Sequence, residues 1–210
     1  MDWVEFRGRE DKLMSMANLI KDYLRGTVLD LGCDAKVLTR VSDKYIGLDF
    51  KGRPDILANL EAGIPLKDQS VDCVVAMDVL EHLEKIHRLF DECCRVSRKF
   101  VIVGIPNQYE WRFRVMFLVG KRLSGKYGLP LEPPSDRHRW LFSLQEAKDF
   151  IHIRAQINGF DLIREMYGYY RYSRFLPVLI AKAGRWFGKK GLNLFACHYS
   201  VVLNRRRHGH

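Results

Sequence analysis

The chain has 210 residues, 47% apolar, 29% charged and 12% aromatic; it can bury one full core, which excludes disorder and fibrous repeats. A net charge of +10 points weakly to an anionic partner, and five cysteines (Cys33, Cys73, Cys93, Cys94, Cys197) without framework spacing exclude a disulfide scaffold. The greasiest run, 175–181, is seven residues and holds Pro177, so no membrane span is expected; the charged start MDWVEFRGRED is no secretory signal and implies an intracellular protein.

In chain order, residues 9–25 predict a helix with Leu13, Met16, Ile20 and Leu24 on one stripe, ending at Gly26. A buried strand over 27–31, a brief helix near 36–41 and strands over 45–49 and 55–60 follow. VDCVVAM at 71–77 is apolar almost throughout, as in a central parallel strand covered on both faces. Residues 79–97 predict one helix with the stripe Val79, Leu83, Ile86, Phe90 and Cys93. KFVIVGI at 99–105 is a fifth strand, stopped by Pro106 and Asn107. Strands alternating with helices predict an α/β doubly wound, mostly parallel sheet of Rossmann-like type with helices on both faces.

The rhythm changes after Asn107. Residues 108–139 hold a helix-like piece and the loop SGKYGLPLEPPSD, and Ser143 with Glu146 predicts a capping box for a helix reaching Asn158. Strands are expected over 160–167 and 193–203, pairing antiparallel at the sheet edge, with an amphipathic helix between them. No acidic residue follows Glu165, whereas nine lysines and arginines do, so a phosphate-rich membrane face, a nucleic acid or an anionic substrate would meet the C-terminal end. A solvated basic surface is the alternative.

In such a sheet, ligands bind beyond the carboxyl ends of the central strands, where the first turn lets backbone approach the ligand. VLDLGC places Asp30 at a strand end, able to receive an ammonium, and then Gly32, which removes a blocking side chain. Asp49 closes the next strand, where a carboxylate can accept both hydroxyls of a ribose.

VLDLGC, YIGLDF and the run NLEAGIPLKDQSVDCVVAMDVLEHLEKIHRLFDECCRVSRKFVIVGIPN together resemble class I S-adenosylmethionine-dependent methyltransferases, of the type 11-like small-molecule, glycan and lipid branch. The resemblance covers residues 25–107. It implies a seven-stranded sheet, S-adenosylmethionine as cofactor, and methyl transfer to a small-molecule, glycan- or lipid-linked acceptor. By position, Asp30, Gly32 and Cys33 would border the methionine part, Asp49 would hold the ribose with Phe50 beside the adenine, Asn59 and Leu60 would lie near the adenine edge, and Met77 would line the sulfonium. The family's glycine-rich loop here reads Gly32-Cys33-Asp34-Ala35-Lys36. Asp34 tolerates a left-handed backbone but brings a negative charge towards the methionine carboxylate, which Lys36 could offset.

The sulfonium is already a strong electrophile, so the protein must align the acceptor, exclude water and remove any proton. His82 in LEHL and His138 in DRHRWLFS are the candidate catalytic groups; a structural histidine bonded to a loop carbonyl is the alternative for each. His82, His87, Cys93 and Cys94 lack structural zinc spacing, so no metal is expected. Residues 174–190 form a cationic amphipathic pattern carrying Trp186 and Phe187, which suits an anionic membrane surface or an ordinary crossover helix.

These readings make one methyltransferase-like domain over 1–210: an N-terminal helix in 1–26, a cofactor-binding core over 27–107, an acceptor lid over 108–142, and a C-terminal helix, edge strands and basic helix over 143–210. The expected location is cytoplasmic, with peripheral membrane contact through 174–190. The rival functions are an RNA methyltransferase and a non-catalytic protein that kept the fold.

Overall fold

The computed structural model describes residues 2–34, 36–121, 126–134, 136–171 and 191–206. Within them the elements run β1 (Asp2–Phe6), α1 (Arg9–Ile20), β2 (Thr27–Leu31), β3 (Lys44–Asp49), β4 (Ile56–Leu57), β5 (Val71–Met77), α2 (Ile86–Val96), β6 (Ser97–Pro106), α3 (Trp111–Leu118), α4 (Leu144–Ile157), β7 (Phe160–Tyr170), α5 (Leu192–Phe195) and β8 (His198–Arg205). The strands form a single sheet in the order β4-β3-β2-β5-β6-β8-β7-β1. Every neighbouring pair is parallel except the two that β8 makes with β6 and β7.

The sheet has eight strands rather than the seven expected. The addition is β1, which pairs with β7 and so takes the edge that the two last strands were expected to form. Its five residues alternate, with Val4 and Phe6 buried and Trp3 stacked 4.7 Å from Tyr169. That period of two is easily lost in five residues bracketed by charge.

Alternation along each strand divides the interior into two cores. Val28, Cys73, Val75 and Ile102 pack on the α1 side, against Met16, Ala17 and Ile20. Leu29, Leu31, Val74, Ala76 and Val101 pack on the other, against α2 and α4. An isolated 11-residue helix such as α2 is marginal in water. Its buried Ile86, Leu89 and Phe90 stabilise it instead, at about 1.5–3 kcal/mol for each large apolar side chain.

Other expectations shift at their ends. The helix expected over 79–97 is broken: a 3-10 turn, Leu80–His82, precedes α2, and Leu83 between them is extended. The cause is capping. The Glu61 carboxylate accepts the backbone N–H groups of Glu84 (2.6 Å) and Lys85 (3.3 Å), which would otherwise continue a helix. The strand over 55–60 shrinks to two residues, and 193–203 divides into α5 and β8. The capping box at Ser143 forms with Glu146 as expected. The basic segment 174–190 lies outside the described residues. Among those described, no helix is long and apolar enough to cross a membrane, and all five cysteines are buried and free.

Candidate functional site

The sheet's strand order reverses between β2 and β5, and a crevice opens there beneath α1. Asp30, Gly32, Cys33 and Met77 line it together, as do Lys36 and Asp78, while Leu13 and Met16 of α1 form its roof. Asp30 reaches it because the period of two puts Asp30 on the same sheet face as Val28, towards α1. Asp49 ends the adjacent strand, one residue beyond the Leu31–Leu48 pair. Phe50 beside it is exposed, with Lys51 Nζ 5.2 Å from the ring centre. Asn59 and Leu60 follow β4, and the Asn59 side chain accepts the N–H of Glu61, capping a 3-10 turn. The eight expected cofactor positions thus lie at the carboxyl ends of four consecutive strands, four of them in the crevice itself.

The turn after β2 takes positive φ at Gly32 (66°) and Lys36 (46°), and Asp34, which tolerates that backbone, is not among the positive-φ residues. A Cβ on Gly32 would stand 2.7 Å from Val79 Cγ2, so the glycine is required by space as well as by φ. Asp34 is exposed, where water screens its charge. Lys36 carries a backbone cost that a glycine would not. Lys36→Gly is expected to stabilise the protein by up to about 1 kcal/mol, a rise of roughly 2–4 °C in Tm that thermal unfolding would register.

Burial pushes the Asp30 carboxyl up to about 7, more than the Tyr45 hydroxyl that donates to it at 2.9 Å can offset, and nearby Asp49 adds to the rise. The same burial raises the Cys33 thiol, which stays neutral. Asp49 Oδ1 accepts the backbone N–H groups of Phe50 (2.7 Å) and Lys51 (3.3 Å), which fixes the carboxylate at the strand end.

Beyond β5 lies a network that the sequence reading missed. Asp78, at φ 56°, is ion-paired with Lys12 of α1 and accepts a hydrogen bond from His198 Nε2 at 2.8 Å. Ser200 Oγ lies 3.1 Å from His198 Nδ1. Burial opposes charge on Asp78, but His198 and Lys12 outweigh it and hold the carboxyl far below its usual range. Burial also pushes the His198 imidazole below its ordinary value, against the pull of Asp78. A lone acid directly after an apolar strand was the available signal for Asp78; nothing in the sequence pairs it with residue 12 or 198.

His82 and His138 come together, with ring centres 4.5 Å apart. The His82 Nδ1 hydrogen-bonds the Arg137 carbonyl at 3.3 Å with Asp136 Oδ1 2.8 Å away, and His138 Nδ1 pairs with the Tyr127 hydroxyl. Burial lowers both, His138 to about 4, so each imidazole is neutral near pH 7. Glu81, buried between Asp78 and His82, is raised by the loss of water. His87, expected on the same helix as His82, belongs to a separate element and is exposed against Phe150.

Residues 15–102 match the family described as a methyltransferase domain. A probable S-adenosylmethionine-dependent methyltransferase of Mycolicibacterium smegmatis is 35% identical over 98 residues, 39% of this chain. The match spans only 38% of that relative's length. A SAM-dependent methyltransferase from Archaeoglobus fulgidus superimposes with a TM-score of 0.60 at 15% identity, over 95% of this chain and 96% of that one. Magnesium protoporphyrin IX methyltransferase from Synechocystis, solved with S-adenosylhomocysteine bound, gives 0.55 at 14% identity, over 93% of this chain and 81% of its own. At these identities the structural likeness is one of fold.

Proposed function

We propose that this chain is a class I S-adenosylmethionine-dependent methyltransferase that transfers a methyl group to an oxygen, nitrogen or carbon of a small-molecule, glycan- or lipid-linked acceptor. The observation that carries the reading is the crevice at the strand reversal, where Asp30, Gly32, Cys33 and Met77 meet beneath α1. The residues fit the cofactor: a buried carboxyl short of a cationic partner, a turn whose Gly32 lines the crevice, and a carboxylate one strand further on.

When bound, S-adenosylmethionine supplies a methyl carbon already activated by its sulfonium. Asp30 receives the ammonium of the methionine part, and Asp49 accepts the ribose hydroxyls, with the exposed Phe50 ring beside the adenine. Asn59 and Leu60 stand near the adenine edge. Leu13, Met16 and Met77 keep water from the reacting centre. The segment 108–142 is the acceptor side, where neutral His82 and His138 offer lone pairs to an incoming O–H or N–H.

The Asp30 assignment has a pH signature. The free protein carries this carboxyl half-protonated near pH 7, whereas a bound ammonium favours the carboxylate. Binding therefore releases a proton below pH 7, and affinity falls as pH falls. Calorimetric titration with S-adenosylhomocysteine is expected to give an affinity about tenfold weaker at pH 6 than at pH 8, with one proton released at pH 6. Absence of binding at either pH would sink the functional reading. A pH-independent affinity would remove Asp30 from the ammonium.

A further inference from the structure

The acceptor side contains a convergence that a proton-transfer role for the two histidines does not explain. One carboxylate oxygen of Glu81 and one nitrogen each of His82 and His138 lie within 4.8 Å of one another. Glu81 is 1% exposed, and its Oε2 has no hydrogen-bond partner; His138 Nε2 is likewise buried and unpartnered. Leaving two such groups unmade costs about 1–3 kcal/mol each, and both belong to the same cluster. We propose that Glu81, His82 and His138 form a binding site for a divalent transition-metal ion.

The surrounding contacts support ligation. His82 Nδ1 faces the Asp136 carboxylate at 2.8 Å and the Arg137 carbonyl at 3.3 Å, both acceptors only. Its proton therefore sits on Nδ1, and Nε2 keeps a lone pair, 3.9 Å from Glu81 Oε1. The far oxygen of Asp136 is held by Lys126 Nζ at 2.7 Å. Tyr127 pairs with Nδ1 of His138, so that ring too presents Nε2 to the cluster. A metal-bound imidazole almost always has its second nitrogen fixed by a carboxylate, carbonyl or similar partner.

Backbone contacts hold the two halves in place. The Arg139 N–H donates to the Glu81 carbonyl at 2.8 Å, and Trp140 Nε1 donates to the Leu83 carbonyl at 2.7 Å. Tetrahedral ligands on bonds of about 2.1 Å stand roughly 3.4 Å apart, so these donors need to close by less than about 1.5 Å. Two imidazoles with one carboxylate suit Zn²⁺ or Fe²⁺ better than Mg²⁺, and three protein ligands leave a coordination position open. On the methyl-transfer reading, the ion would occupy the lone pairs of both histidines in place of direct proton acceptance, and an acceptor oxygen would take the open position and be aligned by it; ion binding itself does not depend on that reading.

The test is a Zn²⁺ titration of chelator-stripped protein against a competing chromophoric chelator, with Co²⁺ absorption as a geometric readout. One tight ion per chain is expected, with visible d–d bands. Glu81→Gln and His138→Gln are each expected to weaken it at least about 100-fold, and His87→Gln to leave it unchanged. Thermal unfolding confirms that each variant is folded. Zn²⁺ affinity that is unaltered in both ligand variants, or no saturable binding in the parent, overturns the site. S-adenosylhomocysteine titration of the same metal-free samples separates this outcome from failure of the methyltransferase reading, since that binding requires no ion.

Discussion

Replacement of Asp49 by alanine is expected to weaken S-adenosylhomocysteine binding by about 10²–10⁴-fold. Two hydrogen bonds from ribose hydroxyls to a carboxylate contribute about 1.5–3 kcal/mol each, because the acceptor is ionised. Asp49 is 7% exposed, so water replaces those bonds poorly. Part of any loss could come from the turn, because Oδ1 also accepts the N–H groups of Phe50 and Lys51. Asp49→Asn keeps an acceptor for that turn while removing the charge, and is expected to lose less. Calorimetry on both variants checks the assignment; an affinity within threefold of the parent in Asp49→Ala would place the ribose elsewhere.

The second large effect is on stability. Asp78→Asn is expected to destabilise the fold by about 3–5 kcal/mol, lowering Tm by roughly 10 °C or more. The cost arises from what remains: Lys12, whose side chain is 12% exposed, loses the partner of its charge, and the buried His198 loses an ionised acceptor. Asparagine tolerates the left-handed backbone that Asp78 adopts, so the change isolates charge from backbone strain. Adding Lys12→Met is expected to recover much of the loss, which a double-mutant cycle by thermal unfolding would measure. The pH dependence has a defined sign. The depressed Asp78 carboxyl contributes fully above its ordinary value of 3.8, and that contribution declines on acidification below it. His198, lowered by burial, adds a loss of stability as pH falls below 6.5.

The two effects differ in how much of them could be read from the sequence. Asp30, Gly32, Asp49 and Met77 are placed by local pattern: each closes or follows an apolar strand, and a parallel sheet sends all such ends to one side. Their grouping needs only the strand order. Asp78 sits one residue after Met77, but Lys12 and His198 meet it only because α1 lies across the crevice and β8 runs beside β6. Neither meeting leaves a periodic trace, since packing between distant segments has no fixed spacing.

The same distinction applies around Glu81. A single helix over 79–97 would have pointed Glu81 and His82 along regular helical directions. The Glu61 carboxylate instead captures the N–H groups of Glu84 and Lys85, the helix restarts at Ile86, and the freed Glu81 carbonyl receives the Arg139 N–H. That exchange of backbone partners brings His138 to Glu81. β1 escaped the sequence reading for a related reason: five alternating residues give too weak a period, and pairing with β7 is what makes them a strand.

The sequence by itself determined the parallel, doubly wound core, the loop after β2 and the acids at the strand ends, because hydrophobic period, turn residues and strand polarity act over a few residues. Only the tertiary structure decided the eighth strand, the Lys12–Asp78–His198 network and the meeting of Glu81, His82 and His138. These depend on hydrogen bonds and ion pairs between segments far apart in the chain, whose partners are selected by the packed sheet and not by local spacing.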